Sequence, residues 1–217
     1  MGRFIDQENG FAIYNAPKGG GTTIRNWIYF AKTGELAIQN EGGGYLNQKP
    51  KTYKQLKNIG YEVCNFIPWA LGPSICIVRN PVDRFISTYK DKIIREKKCG
   101  NPPPSLSEFI YDFERLITTN DHPHGANPNL KYLEHHFAPQ TLIFGENKDY
   151  FQHIFMMHEI STNLKSYLEK QWGVELPNIH CRKAQKDNTI VPSKGDRKRI
   201  KEIYKADFSC EWIANAS

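Results

Sequence analysis

The first strong feature of the hydrophobic pattern is a short apolar run followed by a glycine-rich loop and an amphipathic segment. The run Phe11–Asn15 is rich in β-forming residues, which predicts a strand. In the segment Thr22–Lys32 the apolar residues recur at helical spacing and would form one face: Ile24, Trp27, Ile28 and Ala31. The pattern therefore predicts a strand, a glycine loop and a helix, in that order.

A second unit of the same kind begins at Ser74–Val78, where continuous apolar residues predict a buried strand. Pro81 is expected to begin the next helix, because the first helical turn does not need its missing N–H group. This helix should reach about Glu96. The apolar runs Thr141–Phe144 and His153–Met157 are expected to be further strands.

Helical patterns occupy much of the rest of the chain. Ser105 and Glu108 have capping-box spacing ahead of one helix. The segment Thr162–Trp172 predicts a helix that ends before Gly173, and Asp196–Phe208 predicts the last helix. Such alternation of strands and helices is typical of an α/β fold with a largely parallel sheet and helices on both faces.

Composition limits the class of protein. A chain of 217 residues with 39% hydrophobic and 12% aromatic residues predicts one globular domain over residues 1–217. No apolar run approaches the roughly 20 residues of a membrane helix, and the first residues lack the basic and apolar regions of a signal peptide. A cytoplasmic location without a membrane span is therefore expected. Five cysteines without CxxC spacing predict reduced thiols rather than disulfides or a zinc site.

The formal charge of +6 favours anionic partners, such as nucleic acid, a phosphorylated cofactor or a sulfated polymer. Much of the excess lies in Lys90–Lys98 and Lys194–Lys205. Apolar residues at helical spacing within both runs favour solvated helix faces. A non-enzymatic module that binds polyanions through these helices remains an alternative.

The loop after the first predicted strand has the composition of an anion-binding site. It consists of Pro17, Lys18, Gly19, Gly20, Gly21, Thr22 and Thr23. A loop between a parallel strand and a helix gathers unpaired backbone amides at the positive end of the helix dipole. The glycines let a phosphate approach the backbone closely, and the threonine hydroxyls add hydrogen-bond donors. Lys18 adds a full positive charge.

Two common nucleotide-binding motifs are absent from this loop. The lysine precedes the glycines, and the P-loop pattern GxxxxGK[ST] occurs nowhere in the chain, which disfavours a nucleoside triphosphatase. The dinucleotide-binding pattern GxGxxG is also absent from the loop. Two alternatives stay open, namely a nucleotide kinase with an unusual P-loop and a tight structural turn that carries Lys18 by chance.

A second anion-binding element follows the second predicted strand. Arg79 lies at the carboxyl end of Ser74–Val78, and Ser87 follows on the next helix. Ligands of open α/β sheets bind outside the carboxyl ends of the strands, so Arg79 is expected near the glycine loop. A guanidinium binds phosphate oxygens bidentately and a serine hydroxyl donates one further bond, so the pair predicts a second phosphate site.

The sequences PKGGGTT and RNPVDRFISTY together resemble the paired cofactor signatures of sulfotransferases that use 3'-phosphoadenosine 5'-phosphosulfate (PAPS). The second signature matches at five positions: Arg79, Pro81, Arg84, Ser87 and Tyr89. The resemblance implies a three-layer P-loop-like α/β fold, with a central, mostly parallel sheet flanked by helices. It also implies that the glycine loop binds the 5'-phosphosulfate and that Arg79 and Ser87 bind the 3'-phosphate. Arg84 and Tyr89 are expected to be structural.

Weaker matches extend the resemblance over most of the chain. His136–Gln140 (HFAPQ) is similar to an element of carbohydrate-type and related bacterial sulfotransferases, and Tyr204–Phe208 (YKADF) is similar to their closing motif. Asn80 stands where this family often has Asp. Gly34–Tyr61 matches no family element and lacks periodicity, so it predicts irregular structure with a short helix near Tyr53–Ile59.

The resemblance implies transfer of a sulfuryl group from PAPS to an acceptor hydroxyl, with a carbohydrate or other hydroxylated molecule as partner and no nucleic acid. Lys18 would neutralise the charge that develops on the leaving oxygen. No divalent metal is expected, because no pair of carboxylates flanks the loop. His136 is the predicted general base, since imidazole titrates near working pH. His135, Glu41 and Glu62 remain alternatives for this role.

Overall fold

The computed structural model describes residues 2–36, 59, 61–63, 74–119, 135–179 and 190–215. The chain forms two compact units. The first unit contains Met1–Arg79 and Ile143–Lys186, and the second contains Asn80–Leu142 and Asp187–Asn215. Within the described ranges, no helix has the length and apolar character needed to cross a membrane.

The first unit is built on a five-stranded sheet with the strand order β3-β1-β2-β4-β5. Its strands are β1 (Gly2–Asp6), β2 (Phe11–Asn15), β3 (Tyr61–Val63), β4 (Ser74–Val78) and β5 (His153–Met156). Strand β4 pairs in parallel with both β2 and β5, whereas β1 pairs antiparallel with both β2 and β3. The predicted α/β class is confirmed, and the two predicted strand–loop–helix units begin from neighbouring parallel strands.

Eight α-helices have both ends within the described ranges, in addition to the helical residues 135–137. They are α1 (Gly21–Thr33), α2 (Pro81–Tyr89), α3 (Leu106–Thr119), α4 (Gln140–Phe144), α5 (Lys165–Trp172), α6 (Lys194–Ile203), α7 (Lys205–Ser209) and α8 (Glu211–Ala214). A π-helical turn continues α2 over Lys90–Arg95, and another precedes α5 over Ile160–Leu164. The helix predicted from Pro81 to about Glu96 is thus confirmed, with a π-helical second half.

Burial explains why β2 and β4 occupy the middle of the sheet. All five residues of each strand are buried, as expected for continuous apolar runs covered on both faces. Side chains from α1, α5 and the preceding π-helical turn join the strands in one core. The buried members of this core are Phe4, Phe11, Ile13, Ile24, Trp27, Ile28, Ile75, Ile77, Ile160, Leu164, Leu168 and Leu176.

The second unit has its own aromatic core and well-capped helices. Phe85 lies at the centre of this core, with its ring centroid 5.0 Å from that of Phe137. Asn80 caps α2, because its Oδ1 accepts hydrogen bonds from the N–H groups of Val82 at 2.9 Å and Asp83 at 3.1 Å. Asn and Asp are comparably good N-caps, so Asn80 caps this helix as well as an Asp would.

The capping box predicted for α3 is confirmed. The N–H of Ser105 donates to Glu108 Oε2 at 2.8 Å, and the N–H of Glu108 donates to Ser105 Oγ at 3.3 Å. The two reciprocal bonds satisfy amides that would otherwise lack partners at the start of the helix.

One predicted strand is wrong. Thr141–Phe144 belongs to α4 rather than to the sheet. The carboxylate of Asp207 accepts hydrogen bonds from the backbone N–H groups of Gln140 at 2.9 Å and Thr141 at 2.8 Å, and so caps the start of this helix. Strands β1 and β3 were not predicted, and β3 begins at Tyr61, the end of the segment predicted to be irregular. The helix predicted to be the last is divided at Tyr204 into α6 and α7, and α8 follows it.

Candidate active site

The register of the sheet brings the glycine loop and Arg79 to the same edge. Asn15 at the end of β2 pairs with Ile77 near the end of the parallel strand β4. The chain leaves both strands at this edge, and Arg79 Nη1 donates a hydrogen bond of 3.1 Å to the backbone oxygen of Lys18. The expected proximity of Arg79 to the loop is therefore confirmed.

The loop has an unusual backbone conformation at two positions. Lys18 has a φ of 65° and Gly20 a φ of 75°, both in the left-handed region. The chain turns before α1, and a hydrogen bond of 3.0 Å from the N–H of Gly19 to Ala16 O closes this turn. A lysine at positive φ costs roughly 1 kcal/mol or more, so the surrounding contacts, including the bond from Arg79, must hold it there.

The start of α1 offers backbone donors to an anion. The N-cap residue is Gly20, which has no side chain, and the structure shows no side-chain capping bond at this end of α1. The first turn also contains no acidic residue. The early N–H groups of a helix and the positive end of its dipole bind anions under such conditions. Gly21, Thr22 and Thr23, which form this turn, are all half-buried.

Two side chains near this turn were not predicted from the sequence. The buried Asn15 lies against Gly21, so that a Cβ atom on Gly21 would come within 2.6 Å of Asn15 Nδ2. Arg25 Nη2 donates to Thr22 Oγ1 at 3.2 Å, which places the Arg25 guanidinium beside the first turn of α1. The i, i+3 spacing of Thr22 and Arg25 on a helix was the available signal for this contact.

An apolar wall from the segment after β5 lies against the loop. A Cβ atom on Gly20 would lie 3.3 Å from Met157 Sδ, and it would approach Ile160 Cδ1 more closely than real Cβ contacts allow. Ile160 is 5% exposed and belongs to the core of the first unit. Glycine is therefore favoured at this position by its φ angle, and any Cβ there would force the ends of the Ile160 and Met157 side chains to shift.

The remaining predicted cofactor residues have simpler surroundings. Pro17 and Lys18 are half-buried at the start of the loop, and Gly19 is buried. Ser87 is a half-buried residue of α2, in the second unit. Its predicted role in binding phosphate stays a prediction.

His136 belongs to the second unit and is half-buried. Burial lowers its pKa, and the neighbouring His135 and Lys92 lower it further, to about 3. The two imidazole rings are close, with centroids 3.8 Å apart. His136 is therefore neutral at pH 7, the form that a general base requires, but its low pKa also weakens it as a base relative to an exposed imidazole.

The structure does not test the three alternative residues for the general base. Glu41 lies outside the described residues, and Glu62 lies on β3 with its side chain outside the described part. His135 is exposed. The predicted short helix near Tyr53–Ile59 also falls outside the description, apart from an isolated turn residue at Ile59.

The described cysteines agree with the prediction of reduced thiols. The structure shows Cys76, Cys99 and Cys210 without a disulfide bond, while Cys64 and Cys181 lie outside the described residues. Burial raises the pKa of Cys76 well above its usual value, so this thiol stays protonated.

Comparison with known proteins gives one result. The model of the Sulfotransferase family matches residues 2–210, nearly the whole chain, including both motif regions. No curated protein and no solved structure gives a significant match. The family match confirms the expected three-layer P-loop-like fold. The chain therefore belongs to the sulfotransferase family.

Proposed function

We propose that this protein transfers a sulfuryl group from PAPS to a hydroxyl group of a carbohydrate or another hydroxylated small molecule, as a single domain that comprises both compact units. Membership of the sulfotransferase family establishes the general class of reaction. The proposal adds the donor, the acceptor class and the roles of individual residues.

The observation that carries the proposal is the contact between Arg79 and the glycine loop at the uncapped start of α1. Lys18 and Arg79 supply two positive charges, Thr22 and Thr23 supply hydroxyl donors, and no acidic residue lies in the first helical turn. This donor set matches a ligand that carries several negative charges. PAPS has such groups at its 5' end and at its 3'-phosphate.

Arg79 has two tasks in this proposal. Its guanidinium holds the carbonyl of Lys18, and it would also bind the 3'-phosphate together with Ser87. A guanidinium carries five N–H donors in a planar fork, so different N–H groups can serve the two tasks. The 3'-phosphate would then stabilise the loop conformation that holds the other end of the same nucleotide.

When bound, PAPS supplies the activated sulfuryl group. The loop amides and α1 would hold the 5'-phosphate, and Lys18 would neutralise negative charge that develops on the leaving oxygen. His136, neutral at pH 7, would accept the proton of the acceptor hydroxyl. No residue in this scheme needs a divalent metal.

Variants of Lys18 and Arg79 test the proposal. Lys18→Met keeps the length of the side chain and the same backbone constraint, so it removes only the charge. Loss of one donor to developing negative charge typically lowers kcat roughly 100- to 1,000-fold. Arg79→Ala removes a charged hydrogen bond and should weaken binding of 3'-phosphoadenosine 5'-phosphate (PAP) roughly 10- to 100-fold.

The measurements are isothermal titration calorimetry with PAP and transfer of radiolabelled sulfate from PAPS to a panel of glycans, phenols and lipids. The proposal expects Lys18→Met to bind PAP nearly as well as the wild type but to transfer slowly. Protection from thermal unfolding by ATP with magnesium, without any response to PAP, would instead indicate a nucleotide kinase. Steep salt dependence of polyanion binding that is insensitive to Lys18→Met would indicate a basic binding module.

A further inference from the structure

Three buried side chains from distant parts of the sequence converge on the segment that carries His136. Arg84 lies on α2, Tyr204 separates α6 and α7, and Asp207 lies on α7. We propose that Arg84, Tyr204 and Asp207 are positioning residues that fix the backbone from His136 to Thr141 and thereby orient His136 for the reaction. This inference rests on the proposed function, in which His136 is the general base.

Arg84 bonds to three consecutive backbone carbonyls. It is 0% exposed, and its guanidinium donates to His136 O at 3.3 Å, to Phe137 O at 3.4 Å and to Ala138 O. Burial of a charged group is costly unless hydrogen bonds or an opposite charge compensate it. Within the described residues, Arg84 Nε has no hydrogen-bond partner. An apolar side chain could fill this volume without that cost, so packing alone does not explain an arginine here.

Tyr204 binds the same part of the backbone as Arg84. Its hydroxyl donates to Phe137 O at 2.6 Å, and the Arg84 guanidinium carbon lies 5.4 Å from the centroid of its ring. Burial raises the pKa of Tyr204, so the hydroxyl keeps its proton and remains a donor. Phe137 O therefore accepts from two buried donors, Arg84 and Tyr204.

Asp207 fixes the other end of the segment. Its carboxylate is fully buried and accepts hydrogen bonds from Gln140 N at 2.9 Å, Thr141 N at 2.8 Å and Thr141 Oγ1 at 2.9 Å. Together with the bonds of Arg84 and Tyr204, these contacts engage the carbonyls of residues 136, 137 and 138 and the amides of residues 140 and 141. Little backbone freedom is left beside His136.

The position of Arg84 also links this segment to the second cofactor motif. Arg84 and Ser87 are three residues apart on α2, so they lie on neighbouring positions of one helix face. A displacement of α2 would therefore be transmitted by Arg84 to the backbone of His136. The network would keep the predicted phosphate ligand Ser87 and the predicted base His136 in a constant relation within the second unit.

Tyr204→Phe is the sharpest test, because it removes one hydroxyl and keeps the ring. Tyr89→Phe is the matched control, since the hydroxyl of Tyr89 donates to Pro104 O at 2.7 Å and Tyr89 is also buried in the second unit. Both variants lose one buried bond from a tyrosine to a carbonyl and should lose similar stability in urea unfolding. Only Tyr204→Phe should affect His136.

Two readouts distinguish positioning from stability. The first needs no acceptor: NMR of 13C-labelled histidine, with His136→Gln for assignment, follows the imidazole of His136 in the free protein. Tyr204→Phe should shift its resonance and its titration, and Tyr89→Phe should leave both unchanged. The second is kcat for sulfate transfer to an acceptor found in the panel, which should fall roughly two- to tenfold in Tyr204→Phe, with PAP affinity unchanged.

A double mutant shows whether the effect passes through His136. Tyr204→Phe should cause no further loss of kcat when His136 is already replaced by Gln. The proposal is overturned if the His136 resonance is unaffected by Tyr204→Phe, or if kcat falls equally with and without His136. An altered His136 resonance in a protein that binds no PAP would support the network and reject the proposed function, so the two failures are distinguishable.

Discussion

Gly20 provides the most quantitative test of how the loop is built. Gly20→Ala introduces two separate costs. The first is the φ of 75°, which costs an alanine roughly 1–2 kcal/mol. The second is the overlap of the new methyl group with Ile160 Cδ1 and its 3.3 Å contact with Met157 Sδ. Overpacking typically costs about 1–3 kcal/mol, and the low end applies here because the overlapping atoms are the ends of side chains that can shift.

Gly34→Ala is the matched control at the other end of α1. Gly34 has a φ of 74°, and a Cβ atom there would meet nothing within 4 Å. This variant should therefore show only the conformational cost of about 1–2 kcal/mol. The summed cost of Gly20→Ala should be about 2–3 kcal/mol, from about 1–2 for the φ angle and about 1 for the overlap. The difference between the two variants measures the overlap with the wall of Met157 and Ile160.

The assay is urea unfolding of Gly20→Ala and Gly34→Ala, each in the wild-type background and with Ile160→Val. Removal of Cδ1 by Ile160→Val should release part of the overlap, so Gly20→Ala should cost less in that background, whereas the cost of Gly34→Ala should not change. Equal costs of Gly20→Ala in both backgrounds would refute the proposed packing of the loop against Ile160. Equal costs of Gly20→Ala and Gly34→Ala would refute it as well.

Two further predictions concern stability. Burial raises the pKa of Asp6, but hydrogen bonds from Asn9, Trp172 and Lys32 outweigh burial and lower this pKa below its usual 3.8. The ionised Asp6 therefore stabilises the fold above pH 3.8, and this stabilisation is lost as the pH falls through the pKa of the folded state. As the pH is lowered, the free energy of unfolding of Asp6→Asn should therefore fall less steeply than that of the wild type. Parallel curves for the two proteins would contradict this. Ser105→Ala removes the capping box of α3 and should destabilise the protein by roughly 1 kcal/mol in urea, with unchanged PAP affinity.

The elements next to the candidate site were the most predictable part of the fold. Strands β2 and β4 are continuous apolar runs, Pro81 marks the start of a helix, and Gly173 marks the end of another. Thr141–Phe144 was not predictable in this way. Its apolar pattern fits a strand, but the carboxylate that caps it as a helix comes from Asp207, 66 residues after Thr141.

The site shows the same division between local and long-range information. Two motifs predicted that Arg79 and the loop would meet, because parallel strands end at one edge of a sheet. The motifs did not predict that Arg79 holds the carbonyl of Lys18, or that Lys18 has a positive φ. The low pKa of His136 could not be predicted from the sequence, because it depends on burial and on the proximity of Lys92 in the folded protein.

The most direct test of the central claim is calorimetric titration of the wild-type protein and Arg79→Ala with PAP in the presence of a metal chelator. The claim is that the glycine loop and Arg79 hold one doubly phosphorylated nucleotide. It predicts one binding site per chain in the wild type and an affinity lowered roughly 10- to 100-fold in Arg79→Ala. Absence of binding in the wild type, or equal affinity in the two proteins, would contradict it.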